Sequence, residues 1–298
     1  MRKKAMAWLS LTLAGCLSAP GIAAAETQIY YGFGDGDNTG DISGVNWILN
    51  KDYSYYGGHQ CFFTAYTING SALNNTLTIN GGNYIVKSGS NTFSNYFYGG
   101  LTAKDGNATG NGIIINSGNF INESGAQQSA GIYAAQAMGK GYIASDNYTF
   151  VNDGIFQGYT YIAAALGYGG SDAINNNLTV NNGTFEKGIY LFGGRGYSTG
   201  NTDNNTVKVT DGDIGGYRAF IWGGKADDGN ARYNTVNLSG GAVASVPSDE
   251  SVYETKFTEY EQGDAEFYGG YTLKGNALYN TVNISGGSIS TTGTGLVY

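Results

Sequence analysis

Seven glycines, Gly82, Gly118, Gly154, Gly183, Gly212, Gly241 and Gly287, share one sequence context. Seven places before each stands an asparagine: Asn75, Asn111, Asn147, Asn176, Asn205, Asn234 and Asn280. Two places after each stands a large apolar residue, from Tyr84 and Phe120 to Ile289. Successive glycines are 36, 36, 29, 29, 29 and 46 residues apart. A unit this short cannot bury an apolar face alone, so a repeat of this kind implies that each copy stacks on the next.

Within each copy the residues alternate. Five places before the glycine stand Leu77, Ile113, Thr149, Leu178, Val207, Val236 and Val282; three before it stand Ile79, Ile115, Val151, Val180, Val209, Leu238 and Ile284. The residue between them is usually polar, as in Thr78, Lys208 and Asn237. A period of two with one apolar side predicts a half-buried strand. Thr149, flanked by Tyr148 and Phe150, interrupts the pattern, and a shifted or bulged register is expected there.

A second signal lies between the anchors: a pair of apolar residues followed by a pair of small ones. It reads Tyr55-Tyr56-Gly57-Gly58, Phe97-Tyr98-Gly99-Gly100, Ile132-Tyr133-Ala134-Ala135, Leu191-Phe192-Gly193-Gly194, Ile221-Trp222-Gly223-Gly224 and Phe267-Tyr268-Gly269-Gly270. Tyr161-Ile162-Ala163-Ala164 is a weaker member. This predicts a second strand that ends where backbones approach closely, followed by a polar loop. One unit is then strand, turn, strand, loop. The expected fold is all-β: a parallel β-solenoid (β-helix) of about seven to eight coils, with the asparagines stacked as a ladder of side-chain amides. A β-propeller needs about 40–50 residues per blade, more than the shortest copies supply.

Composition agrees. Glycine makes up 50 of the 298 residues and proline 2, which excludes collagen and leaves a turn-rich β chain. The net charge is −8, which argues against nucleic-acid binding. Residues 1–25 read as a signal peptide: Arg2, Lys3 and Lys4, an apolar run, Pro20-Gly21, then Ala23-Ala24-Ala25. A rival reading takes Leu13-Ala14-Gly15-Cys16 as a lipoprotein signal, with Cys16 lipidated. Either way the chain is expected to leave the cytoplasm, with residues 26–298 as the repeat domain.

The phrase Asn234-Thr235-Val236-Asn237-Leu238-Ser239-Gly240-Gly241, repeated from Asn280 to Gly287, resembles the passenger regions of bacterial autotransporters. The resemblance covers roughly residues 26–298. It implies display at the cell surface or release outside it, after periplasmic transit, and non-enzymatic adhesion to a cell-surface protein or glycan. In that family a C-terminal barrel anchors the passenger in the outer membrane. No such run of strands follows the repeats here, so the repeat domain is expected to be incomplete at its C-terminus.

Candidate chemistry is sparse, and no cofactor or metal is expected. Asp35-Gly36-Asp37-Asn38-Thr39-Gly40-Asp41-Ile42 resembles the start of a calcium loop, but Asn46 stands where a bidentate glutamate is needed. His59 and Cys61 would share a strand face, though no orienting carboxylate is evident. Asp153 and Asp211 occupy one repeat position, that of an Asx-Gly turn, and Arg195, Arg218 and Arg232 look scattered. A polysaccharide-processing enzyme would need acids and bases clustered on adjacent coils. Tyrosines near the small pairs read first as good strand residues, with an aromatic strip for recognition as the alternative. The segment from Val246 to Ala265, rich in Asp and Glu, reads as a solvated surface loop.

Overall fold

The computed structural model describes residues 28–34, 36, 38–56, 59–87, 95–123, 128–245, 264–292 and 295–298. Residues 1–25, read above as a signal peptide with Cys16, and Asp35, Asp37, Gly57, Gly58 and residues 246–263 lie outside them. The described residues form strands and no helix, so none is long and apolar enough to cross a membrane as a helix.

The strands assemble into three curled sheets of nine, 14 and eight strands. Every ladder between strands is parallel, and each strand pairs with its counterpart one repeat away. A typical unit contributes Tyr159–Tyr168 to the nine-stranded sheet, Asp172–Ile174 to the eight-stranded sheet, and Asn177–Val180 and Thr184–Phe185 to the 14-stranded sheet. We term such a set a rung. The two- and three-residue strands of the eight-stranded sheet were not evident from the sequence, where they read as polar loop.

Equivalent repeat positions stack. Leu77, Ile113, Thr149, Leu178, Val207, Val236 and Val282 are successive register partners. They meet the inward residues of the nine-stranded sheet, such as Phe62, Phe97, Ile132 and Leu191, in one buried core. Its rings form files: Tyr84, Phe120, Phe156 and Phe185 stack at centroid separations of 5.2, 4.5 and 4.6 Å. Thr149 does not shift the register. It lies between Ile113 and Leu178, fully buried, and its hydroxyl has no hydrogen-bond partner. Threonine is close to valine in shape, so it keeps the register and buries an unmatched hydroxyl.

The nine-stranded sheet also departs from expectation. Its strands do not end at the small pairs but run through them, as Asn95–Asp105 runs through Gly99 and Gly100. The alanine member is offset by one: Ala165 pairs with Ala135 and Ala135 with Gly100, so Ala164-Ala165 holds the place of the glycines. The reason for small residues is the asparagine file. A Cβ on Gly100, Gly194, Gly224 or Gly270 would fall 2.4–2.6 Å from the side chain of Asn111, Asn205, Asn234 or Asn280.

Each asparagine from Asn75 to Asn234 joins three rungs. The backbone N–H and Nδ2 of Asn147 both donate to Oδ1 of Asn176, at 3.0 and 2.9 Å, while its Nδ2 also donates back to the Ala108 carbonyl at 2.9 Å. The same forward bonds run from Asn75 through Asn111, Asn176, Asn205 and Asn234 to Asn280. The residue before each asparagine has positive φ, as at Asn74 (54°), Gly110 (68°), Asp146 (58°) and Tyr233 (57°), which turns the chain into the anchor strand.

Candidate functional site

Alternation on the nine-stranded sheet sends one residue into the core and the next to the opposite, outer face. Phe97 is in the core; Tyr98 belongs to a second apolar cluster. Every member of that cluster lies on this sheet, except Tyr197 just beyond the strand Ile189–Gly196. The tyrosines near the small pairs are strand residues, as first expected, and their rings also lie together, with the N-terminal part buried. Phe63, Tyr98 and Tyr133 form a file with centroids 5.0 and 5.1 Å apart, and Phe63 and Tyr98 are nearly inaccessible.

Toward the C-terminal rungs this face becomes charged. Arg195 and Lys225 are register partners, each directly after its small pair. The Arg195 guanidinium lies 4.2 Å from the ring centroid of Tyr197 and 5.3 Å from that of Phe192, and its Nη1 donates to the Tyr161 hydroxyl. Lys225 Nζ lies 4.2 Å from the ring centroid of Trp222 and 5.5 Å from that of Tyr271. Such contacts contribute about 0.5–2 kcal/mol each, more as water is excluded.

The next strand, Asp264–Thr272, brings acids. Arg218 pairs in register with Asp264, and Phe220 with Glu266. Asp264 and Glu266 are two apart on one strand, share a face, and are both buried. Burial, reinforced by the Asp264 charge, pushes the Glu266 carboxyl from 4.5 up to about 7, while Lys225 and Arg218 pull it back. Tyr190, one rung before Arg218 and two before Glu266, is raised by burial, against the lowering effect of the nearby Arg218. Glu266 can therefore hold a proton near neutral pH beside a second carboxyl group. Asp264 had been assigned to the acidic loop; as the first residue of a buried strand it corrects that boundary.

The other candidates fall elsewhere. His59 and Cys61 are both buried; His59 lies against the Tyr96 ring at 5.3 Å, and Cys61 is enclosed in the outer aromatic cluster. The Cys61 side chain, the nucleophile of such a pair, has no exposed surface. Asp153 and Asp211 each accept the N–H of the following glycine at 2.8 Å, a local turn contact one residue shorter than the expected Asx turn. Arg232 is paired with Asp203, its Nε at 3.0 Å from the carboxylate. Asp41 accepts the Ser71 N–H at 2.7 Å, while Asp35 and Asp37 lie outside the described residues. Among the described residues no group of three or more His, Cys, Asp or Glu side chains is placed to hold a metal ion.

Arg218, Lys225, Asp264 and Glu266 were thus not recognised as neighbours from sequence. Aligning on the small pairs rather than the anchor glycines would have set Arg195, Lys225 and Tyr271 in one column. No protein-family model matches the chain, and no match was found among curated proteins or solved structures.

Proposed function

We propose that the chain is a parallel β-solenoid of about seven to eight coils, exported to the cell surface or beyond, acting by adhesion rather than catalysis, as the autotransporter passengers it resembles do. The observation that carries this reading is the division of labour between faces. One side of the nine-stranded sheet builds the core, and the other carries rings and charges that the core does not need. A column locked rung to rung holds such a face rigid and away from its attachment point. Its partner would be a cell-surface protein or glycan. The test is binding of the purified protein to cultured cells and to their stripped matrix, together with the N-terminal sequence of the exported form. Saturable binding by a chain beginning at Glu26 supports the reading. A cytoplasmic protein with its leader intact, or one that binds no surface, overturns it. A lipid on Cys16 would retain display and change the anchor.

Asp264 and Glu266 beside Arg218 and Lys225 favour a second reading, a polysaccharide-processing enzyme. A carboxyl group that holds its proton near neutral pH beside a second carboxyl group is the kind of pairing that glycoside cleavage uses. Release of reducing ends from polysaccharide, abolished in Glu266→Gln, would support it; no release by a folded protein removes it.

A further inference from the structure

We propose that Arg195 and Lys225, with the tyrosines flanking them, form a subsite for a carboxylated sugar, such as a uronic acid unit within an acidic polysaccharide. The inference rests on the display reading and names its ligand.

Like charges directly opposite on neighbouring strands destabilise a sheet, and Arg195 and Lys225 stand in that relation, about 4.8 Å apart at the backbone. Arg195 makes no salt bridge among the described residues; its hydrogen bond goes to a neutral phenol. Glu266 on the next strand lies within electrostatic reach of Lys225, so of the two the charge left without a salt bridge among the described residues is that of Arg195. Donors are also in surplus. Arg195 Nε and Trp222 Nε1 are buried and have no acceptor, and Trp222 as a whole is 2% exposed. Unmatched buried N–H groups beside two cations fit an anionic, acceptor-rich ligand.

The surroundings select a sugar over a peptide. Both strands are hydrogen-bonded on each side within the sheet, so an extended peptide finds no free backbone edge to join. What is offered is ring faces. Tyr168 and Tyr197 stack at 4.2 Å and 9°, and both remain partly exposed, as do Tyr268 and Tyr271. Rings present apolar surface to the C–H faces of a pyranose, while its carboxylate accepts from Arg195 in the two-pronged geometry that guanidinium favours.

The experiment titrates the purified protein with oligogalacturonate, with neutral galactan and with poly-glutamate, following Trp222 fluorescence and calorimetric heat. The expected result is salt-sensitive binding of oligogalacturonate alone. Arg195→Ala should weaken it about tenfold or more, as for loss of a charge-assisted hydrogen bond, and Arg195→Lys by less. Trp222→Phe, which removes one of the unmatched donors, should weaken binding and abolish the fluorescence change. Because Arg195 also packs against rings, each variant is checked for unchanged circular dichroism and melting. Lys225→Gln, which keeps most of the side-chain stem over Trp222, provides a second variant if Arg195→Ala fails to fold. Equal binding of poly-glutamate, binding unaffected by Arg195 and Lys225 replacement, or no binding by a folded protein overturns the proposal. If that same protein still binds cells, the display reading survives the loss of this subsite.

Discussion

At the scale of the residue, the seven asparagines do work that an apolar residue could not. Asn176 accepts two bonds from Asn147, donates two to Asn205, and donates to the Ala144 carbonyl. Asn176→Ala leaves the two Asn147 donors and the Ala144 acceptor unpaired in a dry interior. An unsatisfied buried group costs about 1–3 kcal/mol, so a loss of about 3–5 kcal/mol is expected, read as a lower denaturant midpoint. Thr149 is the opposite case. Its hydroxyl is buried without a partner, while its shape suits the file it occupies. Thr149→Val should raise stability by about 1–2 kcal/mol in the same measurement, whereas Val207→Thr, one of the reverse changes, should lower it.

At the scale of the element, the strand Asp264–Thr272 is where pH should be felt. The folded state holds the Glu266 proton more tightly than the unfolded chain does, its carboxyl being raised from 4.5 to about 7. Stability from this group is therefore full in acid and is lost as pH rises through that interval. Glu266→Gln should flatten the midpoint-versus-pH curve between those values; a wild-type curve already flat there would contradict the assignment. Strands of this kind also mark how far sequence could be read. The anchor strands were legible because their burial alternates strictly, as in Thr206–Val209. The nine-stranded sheet was harder, because its strands are apolar on both sides, as in Gln60–Asn69, and a doubly buried strand shows no alternation. The two-residue strands, such as Ala231–Arg232, are too short to carry any period.

At the scale of the whole molecule, the repeat announced stacking because stacking is what identical units without private cores must do. It could not announce that the small pairs and the asparagines form one device, since Gly224 and Asn234 meet only after the chain has passed through the eight-stranded sheet. Nor could it place Arg218 next to Asp264, because the intervening 246–263 makes that unit longer than the others and obscures the alignment. The asparagine file has a further consequence. At its start Val45, with no amide of its own, gives its N–H to Asn75 Oδ1 at 3.0 Å. From there every bond between asparagines points the same way, and Asn280 at the far end accepts from Asn234. The file therefore has a direction, like a filament with two unlike faces. A rung laid on the forward face satisfies the donors of the one before it and presents fresh donors of its own. A chain that emerges gradually, first rung first, sets in this order, each rung serving as the mould for the next.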